Sequence, residues 1–327
     1  MKRRIISSLI LAAGFLFPHY LAAQSNYPNK PITILVGSSP GSATDLAARF
    51  AASILQEKYK VPTIVENKSG ASGVIAMSSV ASAKPDGYTL QLGGLGHNVI
   101  PPVTRTNLPL NIPKEIIPIA QAAEFINILL VPEEHPANSI PELIEYLKQT
   151  EGLPLYGTNG VGSSSHMTSE LFSLHTGIEF EPVHYRATND ALLGAVNGDL
   201  DFIFMNIPPA LPLIESGRLK TLAVTSKYPA RQFPDAPTME EQGVEGFDVT
   251  SWLGVYGPAG MPQELIDELS EVLVDGFSSP EYKEKMINAG FEPKARHAKE
   301  FAEHNSQELQ RWGEVAEHAN IKVPYGN

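Results

Sequence analysis

The sequence has no cysteine. That excludes a disulfide framework, thiol catalysis and a lipid-anchored cysteine, and it is compatible with an oxidising compartment. Positive charge is scarce: 24 Lys and Arg stand against 36 Asp and Glu, for a formal net charge of −12. A chain so poor in basic residues lacks the basic face that a nucleic-acid partner requires. The deficit does not exclude an anionic ligand, because a buried anion responds to nearby donors and surface carboxylates are screened within about 8–10 Å. Long hydrophobic runs are missing except at the start. Ile5 to Phe17 is almost wholly apolar, but falls short of the roughly 20 residues that span a bilayer. The phosphate-binding G-x-x-x-x-G-K-[ST] and the zinc motif H-E-x-x-H are also absent. Nothing in the chain calls for a cofactor or a metal.

The apolar run is preceded by Lys2, Arg3 and Arg4 and followed by Leu21-Ala22-Ala23. A charged head, an apolar middle and small residues at the end make a secretory signal, with residues 1–23 removed near Ala23 and the mature protein exported to the periplasm. The remainder is long enough for two lobes. Ile32 to Val36 reads as a strand ending at the Gly/Ser/Pro cluster Gly37 to Ser42, and Asp45 to Leu55 has helical spacing. Thr63-Ile64-Val65, a helix over about 73–84, and Tyr88 to Leu92 continue the alternation. The pattern restarts with a strand over Ile126 to Val131, then a helix over Ile140 to Gln149. Leu155-Tyr156 leads through a loop to a helix over about 165–176. Strands follow over 198–205 and 219–224. The chain from about Pro262 is mostly helical. This alternation is an α/β fold of two open parallel sheets, with ligand captured at the carboxyl ends of the strands.

Two loops stand out. Ser38-Ser39-Pro40-Gly41-Ser42-Ala43-Thr44-Asp45 runs from a strand into a helix, whose free N–H groups and positive dipole end suit an anion. The bland reading is simple capping by Thr44 or Asp45. The second loop, Tyr156 to His166, contains Gly157, Gly160 and Gly162 with Thr158, Asn159, Ser163, Ser164 and Ser165, all neutral donors. Here the bland reading is a turn with a Ser cap. Gly94 and His97, after the third strand, and Met205 with Asn206, at a later strand end, complete the candidate ligand site. No catalytic residue is assigned. His166, His175 and His184 recur every nine residues, a spacing of neither helix nor strand, and His166 reads as structural. Asp199 and Asp201 read as turn residues, Trp252 and Tyr256 as core. An exported hydrolase using Ser163, Ser164 or Ser165 with His166 is the enzyme alternative. Neighbours in sequence do not make a triad.

Several ordered segments resemble the tripartite tricarboxylate transporter substrate-binding family, the Bug or TctC-like periplasmic receptors. They are Tyr27-Pro28-Asn29-Lys30-Pro31-Ile32, Val65-Glu66-Asn67-Lys68, Lys84 to Leu90, Tyr156 to His166, Gly198-Asp199-Leu200-Asp201, Leu222 to Ser226, Ser251-Trp252 and Pro258-Ala259-Gly260. The resemblance runs from about residue 27 to the end. It implies a two-lobed, Venus-flytrap fold of the periplasmic-binding-protein type II class. Lobe 1 would hold 24–125 plus 248–327, and lobe 2 would hold 126–247. It implies a monomeric, non-enzymatic receptor that grips a small carboxylate and delivers it to membrane permease subunits. A ligand-sensing partner of a membrane signalling protein shares the same fold. The chain departs from the family's usual Pro-Phe-x-Pro-Gly-Gly-x-x-Asp at its first loop, where Gly37 and Ser38 replace Pro-Phe and Ser42-Ala43 occupy positions rich in small residues. Met205 stands before Asn206 where an Asp is usual. Without that Phe wall and that Asp, the expected ligand is not an amino acid with a free ammonium but a dicarboxylate or a larger aromatic carboxylate.

Overall fold

The structure is a computed structural model, and it describes residues 27–185 and 187–325. The expected signal segment lies outside the described residues. Among the described residues no helix is long and apolar enough to cross a membrane.

The chain opens with β1 (Ile32–Val36), α1 (Ala43–Tyr59), β2 (Thr63–Asn67), α2 (Val74–Ala81) and β3 (Thr89–Gly94). These strands pair in parallel in the order β2-β1-β3. After a short π-helical turn at Leu95–Val99 come α3 (Ile100–Thr104), β4 (Arg105–Thr106), α4 (Ile112–Glu115) and the long β5 (Ile116–Pro132). Next are α5 (Ile140–Gln149), β6 (Leu155–Thr158), α6 (Ser164–Thr176), β7 (Glu181–His184), α7 (Thr188–Asn197), β8 (Phe202–Asn206), α8 (Ile207–Glu215) and β9 (Leu219–Val224). The chain returns through β10 (Thr250–Pro258), α9 (Gln263–Ser278), α10 (Pro280–Asn288), β11 (Glu292–Arg296), α11 (Ala298–His318) and β12 (Val323–Pro324).

Two separate parallel sheets were expected, and the structure corrects this. One ten-stranded sheet runs β2-β1-β3-β10-β5-β8-β6-β7, with β9 and β11 also pairing with β5. Its two ends are parallel, and its middle is antiparallel. The cause is β5, which begins at Ile116 instead of Ile126. Its first part pairs with β10 as far as Ile126↔Thr250. From Asn127 onward it pairs with β8 and β9. Gln121 and Glu124 disguise this strand in the sequence, because they interrupt its apolar run. Both are buried. Arg296 bonds to each of them and Lys294 to Glu124, and these contacts compensate the burial. With this correction the α/β, two-lobed type II architecture holds.

The core follows the same division. Ile32, Ile34 and Val36 of β1 pack with Ala48 and Ala51 of α1, Val255 of β10 and Leu273 of α9. Ile128 and Leu130 of β5 pack with Leu192 of α7 and Ile203 of β8. A further cluster bridges the two ends. It joins Val99 and Ile100 to Phe172 of α6, Phe204, Trp252, Phe301 and Trp312. Trp252 and Tyr256 are both 1% exposed and lie in the core.

Candidate functional site

Both glycine- and serine-rich loops run from the carboxyl end of a strand into the first turn of a helix. Ser42 caps α1, its Oγ accepting from the Asp45 N–H at 3.2 Å. Ser163 caps α6, its Oγ accepting from the His166 N–H at 3.3 Å. Capping therefore falls to Ser42, not to Thr44 or Asp45. In each case the glycine before the cap has positive φ, +80° at Gly41 and +70° at Gly162. That backbone region suits glycine because a Cβ is strained there. In each case the glycine N–H donates to the side chain four residues on: Gly41 to Asp45 Oδ2 at 2.9 Å, and Gly162 to His166 Nδ1 at 2.9 Å. Among the described hydrogen bonds, the N–H groups of Ala43 and Thr44 on α1, and of Ser164 and Ser165 on α6, have no acceptor. Two helix starts thus each offer two backbone donors at a positive dipole end.

The first loop is fastened from behind. Asp45 is 2% exposed. Its carboxylate also accepts from Arg49 Nε and Nη2, at 3.0 and 3.1 Å, and from Asn67 Nδ2 at 3.0 Å. Burial alone would raise its pKa, but the Gly41 amide, Arg49 and Asn67 outweigh burial and hold the pKa below the usual carboxylate value. Asp45 is therefore an ionised strap with its acceptor sites filled. Asn67 also donates to the Ser38 carbonyl at 3.0 Å. Ser38 Oγ meets His97 Nε2 at 3.1 Å, and burial lowers the His97 pKa to about 4. Ser39 and Ala43 are exposed, whereas Thr44 is buried. Gly94, at the end of the neighbouring strand β3, is buried and donates to Asn98 Oδ1 at 3.1 Å.

The second loop is a web of neutral groups. Thr158 Oγ1 pairs with His184 Nδ1 at 2.7 Å and accepts from the Gly160 N–H at 3.1 Å. Ser165 Oγ donates to Asn159 Oδ1 at 2.9 Å, accepts from the Asn159 N–H and pairs with Ser163 Oγ. Asn159 Nδ2 donates to Thr188 Oγ1 at 3.2 Å. Ser164 Oγ pairs with Ser251 Oγ at 2.9 Å and accepts from Asn127 Nδ2 at 3.0 Å. Asn206, which precedes α8, donates to Asn127 Oδ1. Met205 is 3% exposed and packs into the core. His166 is held near pKa 4 by burial and, secondarily, by His184.

The segment from Leu95 to Thr104 lies between the loops. His97 touches Ser38 at one end. At the other, Ile100 and Thr104 lie beside Gly162, where a Cβ would come within 3.3 Å of Thr104 Oγ1. Asn67, Asn127 and Ser251 are partners that sequence reasoning did not single out. An asparagine inside the apolar run Phe125 to Val131 was the available signal for Asn127.

The hydrolase geometry is not assembled. The ring Nδ1 of His166 is taken by Gly162, and its Nε2 lies 3.8 Å from Glu170. Among the described hydrogen bonds, none joins Ser163, Ser164 or Ser165 to that ring. The stretch Gly37-Ser38-Ser39-Pro40-Gly41 also fits the G-x-S-x-G spacing of a nucleophile elbow. There it is Ser38, not the central Ser39, that meets a histidine. The most voluminous groove described, about 610 Å³, lies between α1 and α9 beside Glu57, Glu268 and Asp275, away from both loops. No cluster suited to a metal ion occurs among the described residues.

Comparison with known proteins adds a family. Residues 47–321 match the tripartite tricarboxylate transporter family receptor. A UPF0065 protein of Bordetella pertussis is 32% identical over 294 residues, 90% of this chain and 89% of its own. Among solved structures, R. palustris Rpa4515 with adipate superposes with a TM-score of 0.78 at 31% identity, covering 91% of this chain and 99% of that one. MatC from Rhodopseudomonas palustris, with bound malate, gives 0.73 at 26% identity, covering 88% and 99%.

Proposed function

Because the chain belongs to the tripartite tricarboxylate transporter receptor family, we propose that it captures a small dicarboxylate in the periplasm and hands it to the permease subunits of such a transporter. The family is one of binding receptors, and the protein is not an enzyme. In this reading residues 1–23 are an export signal cleaved near Ala23. The mature chain works as a monomer with one lobe of 24–125 plus 248–327 and another of 126–247. Ligand closes the lobes by a hinge movement through β5 and the return into β10.

The observation that carries the reading is the matched pair of helix starts toward opposite ends of the sheet, each with two backbone amides that have no acceptor among the described hydrogen bonds. Two anion sites suit a ligand with two carboxylates. Ser38, Ser39, Ser42, Ala43, Thr44 and Asp45, with Gly94 and His97, would form one wall. Thr158, Asn159, Ser163, Ser164 and Ser165, with Asn206, would form the other; Met205, expected in this wall, packs behind it in the core. The donors are neutral. Burial keeps His97 and His166 uncharged at neutral pH, and Arg49 is spent on Asp45. Neutral donors hold a guest that must also leave. The one carboxylate in the first wall is saturated by Gly41, Arg49 and Asn67, so it is not available to an ammonium group. That supports a ligand without a free amine, and adipate, carried by the relative Rpa4515, is a fitting first probe.

Titration calorimetry with adipate, malate, an aromatic dicarboxylate, aspartate and glutamate tests this. Dicarboxylates should bind and the two amino acids should not; tight binding of aspartate or glutamate overturns the ligand class. Thr44→Ala and Ser163→Ala should each weaken the bound dicarboxylate by about 1 kcal/mol, as the loss of one hydrogen bond does.

A further inference from the structure

Ser164 is the first residue of α6, and its hydroxyl is surrounded in an unusual way for a helix start. Asn127 Nδ2 donates to its Oγ at 3.0 Å, and Ser251 Oγ lies 2.9 Å away. A serine hydroxyl has one proton and two acceptor lone pairs. Asn127 fills one lone pair. If the Ser251 hydroxyl fills the other, the Ser164 proton is left to point outward, toward whatever anion occupies the start of α6. Among the described hydrogen bonds Ser251 Oγ has no other partner, so nothing competes for its proton.

The two residues that aim Ser164 sit on the two strands that cross the middle of the sheet. Asn127 lies on β5 where its pairing changes from β10 to β8 and β9. It is 1% exposed. It also accepts from Asn206 at its side chain, and from the Thr225 N–H and hydroxyl at its carbonyl, both at 2.9 Å. Thr168 of α6 takes a second contact from its amide at 3.3 Å. Ser251 lies on β10, opposite Phe125 of β5. The Ser164–Ser251 contact therefore ties the start of α6 to β10, which pairs with the first part of β5.

We propose that Ser251 and Asn127 are positioning residues for carboxylate capture: they set the direction of the Ser164 proton and make it depend on the relation between the two ends of the sheet. This rests on the receptor reading above. Neither residue touches the ligand; both act through Ser164.

The test is a double-mutant cycle on the full mature chain, with adipate as the probe and affinity read by calorimetry. Ser251→Ala should weaken adipate by about tenfold, the cost of roughly one hydrogen bond, with the melting temperature of the ligand-free protein nearly unchanged. Ser251→Thr, which keeps the hydroxyl, should restore affinity to within about twofold of the unmodified protein. The double variant with Ser164→Ala should bind no more weakly than Ser164→Ala alone, because the Ser251 contribution passes through that hydroxyl. Asn127→Ser, a smaller change than removal of the polar group, should follow the same non-additive pattern. If Ser251→Ala binds like the unmodified protein, or if its effect simply adds to that of Ser164→Ala, the inference is overturned while the receptor reading stands. If the unmodified protein binds none of the carboxylates, the receptor reading falls and this inference falls with it.

Discussion

The starts of α1 and α6 share a backbone plan and differ in the side chain that fastens it. Each has a positive-φ glycine, a serine cap, and a residue at the third helical position that reaches back to the glycine N–H. At α1 that residue is Asp45, ionised, neutralised by Arg49 and hydrogen-bonded by Asn67. At α6 it is His166, uncharged because it is buried. The difference teaches that the site is built to be locally neutral in a strongly acidic protein. The backbone amides and hydroxyls are then the dominant field that a bound anion meets. The two solutions also fail differently. An ion-paired strap costs much when one partner is removed, whereas a neutral strap fails only when it acquires a proton.

The sharpest way to break the symmetry is at Asp45. Asp45→Ala strands the Gly41 N–H, the Asn67 amide and the Arg49 guanidinium together. Arg49 is half exposed and can turn to water, so the cost should be about 3 kcal/mol, at the low end for a broken buried pair. A urea denaturation midpoint measures it. Asp45→Asn, which keeps an acceptor, should cost less. Equal losses would mean that charge, not hydrogen-bond geometry, holds the loop.

The paired glycines come next. Alanine at either position is strained by positive φ, costing about 1 kcal/mol. Gly41 has open space around it, whereas a Cβ at Gly162 would press on Thr104 Oγ1 at 3.3 Å. Gly162→Ala should therefore lose about 2 kcal/mol and Gly41→Ala about 1 kcal/mol. Thermal melts of the two variants, run side by side, check the ranking. If Gly41→Ala were the worse, the loop at α6 would not be pressed against α3.

The serine caps are predicted to be equivalent. Ser42→Ala and Ser163→Ala should each lower stability by about 1 kcal/mol, the usual worth of a cap. Matched urea midpoints would show it. A much larger loss at Ser163 would assign weight to its second bond, with Ser165.

The helix starts were legible in the sequence because they are local, although the cap of α1 was read as Thr44 or Asp45 and falls to Ser42. A glycine, a serine and a polar residue at fixed spacing after an apolar strand are enough to place a capped helix start. What fastens each start was not legible. Asn67 reaches Asp45 and the Ser38 carbonyl from the end of a different strand, and nothing near residue 45 announces it. Arg49 was visible at helical spacing but reads equally as a solvent-exposed ion pair. The middle of the sheet was misread for a related reason. Gln121 and Glu124 look like the end of an apolar run until Lys294 and Arg296, far along the chain, are seen to lie against them. Local pattern places elements; it does not reveal polar groups whose partners arrive from distant sequence.

The smallest effect is the most diagnostic of the neutral strap. Burial lowers the His166 pKa from 6.5 to about 4. As pH falls below 6.5 the unfolded chain takes up a proton at this residue that the folded chain does not. Stability attached to His166 is thus intact above about pH 6.5 and is lost progressively as pH falls toward 4. At about pH 6 the loss should reach only about 0.8 kcal/mol. His166→Asn places an amide oxygen near the position of Nδ1, so it can still accept from Gly162 without titrating. Its melting temperature should fall less than that of the unmodified protein over the same range. A residual slope should persist, because burial also holds His97 and His304 near 4. Identical slopes would mean that His166 protonates equally well folded and unfolded, and that the start of α6 can carry a charge its counterpart at α1 neutralises.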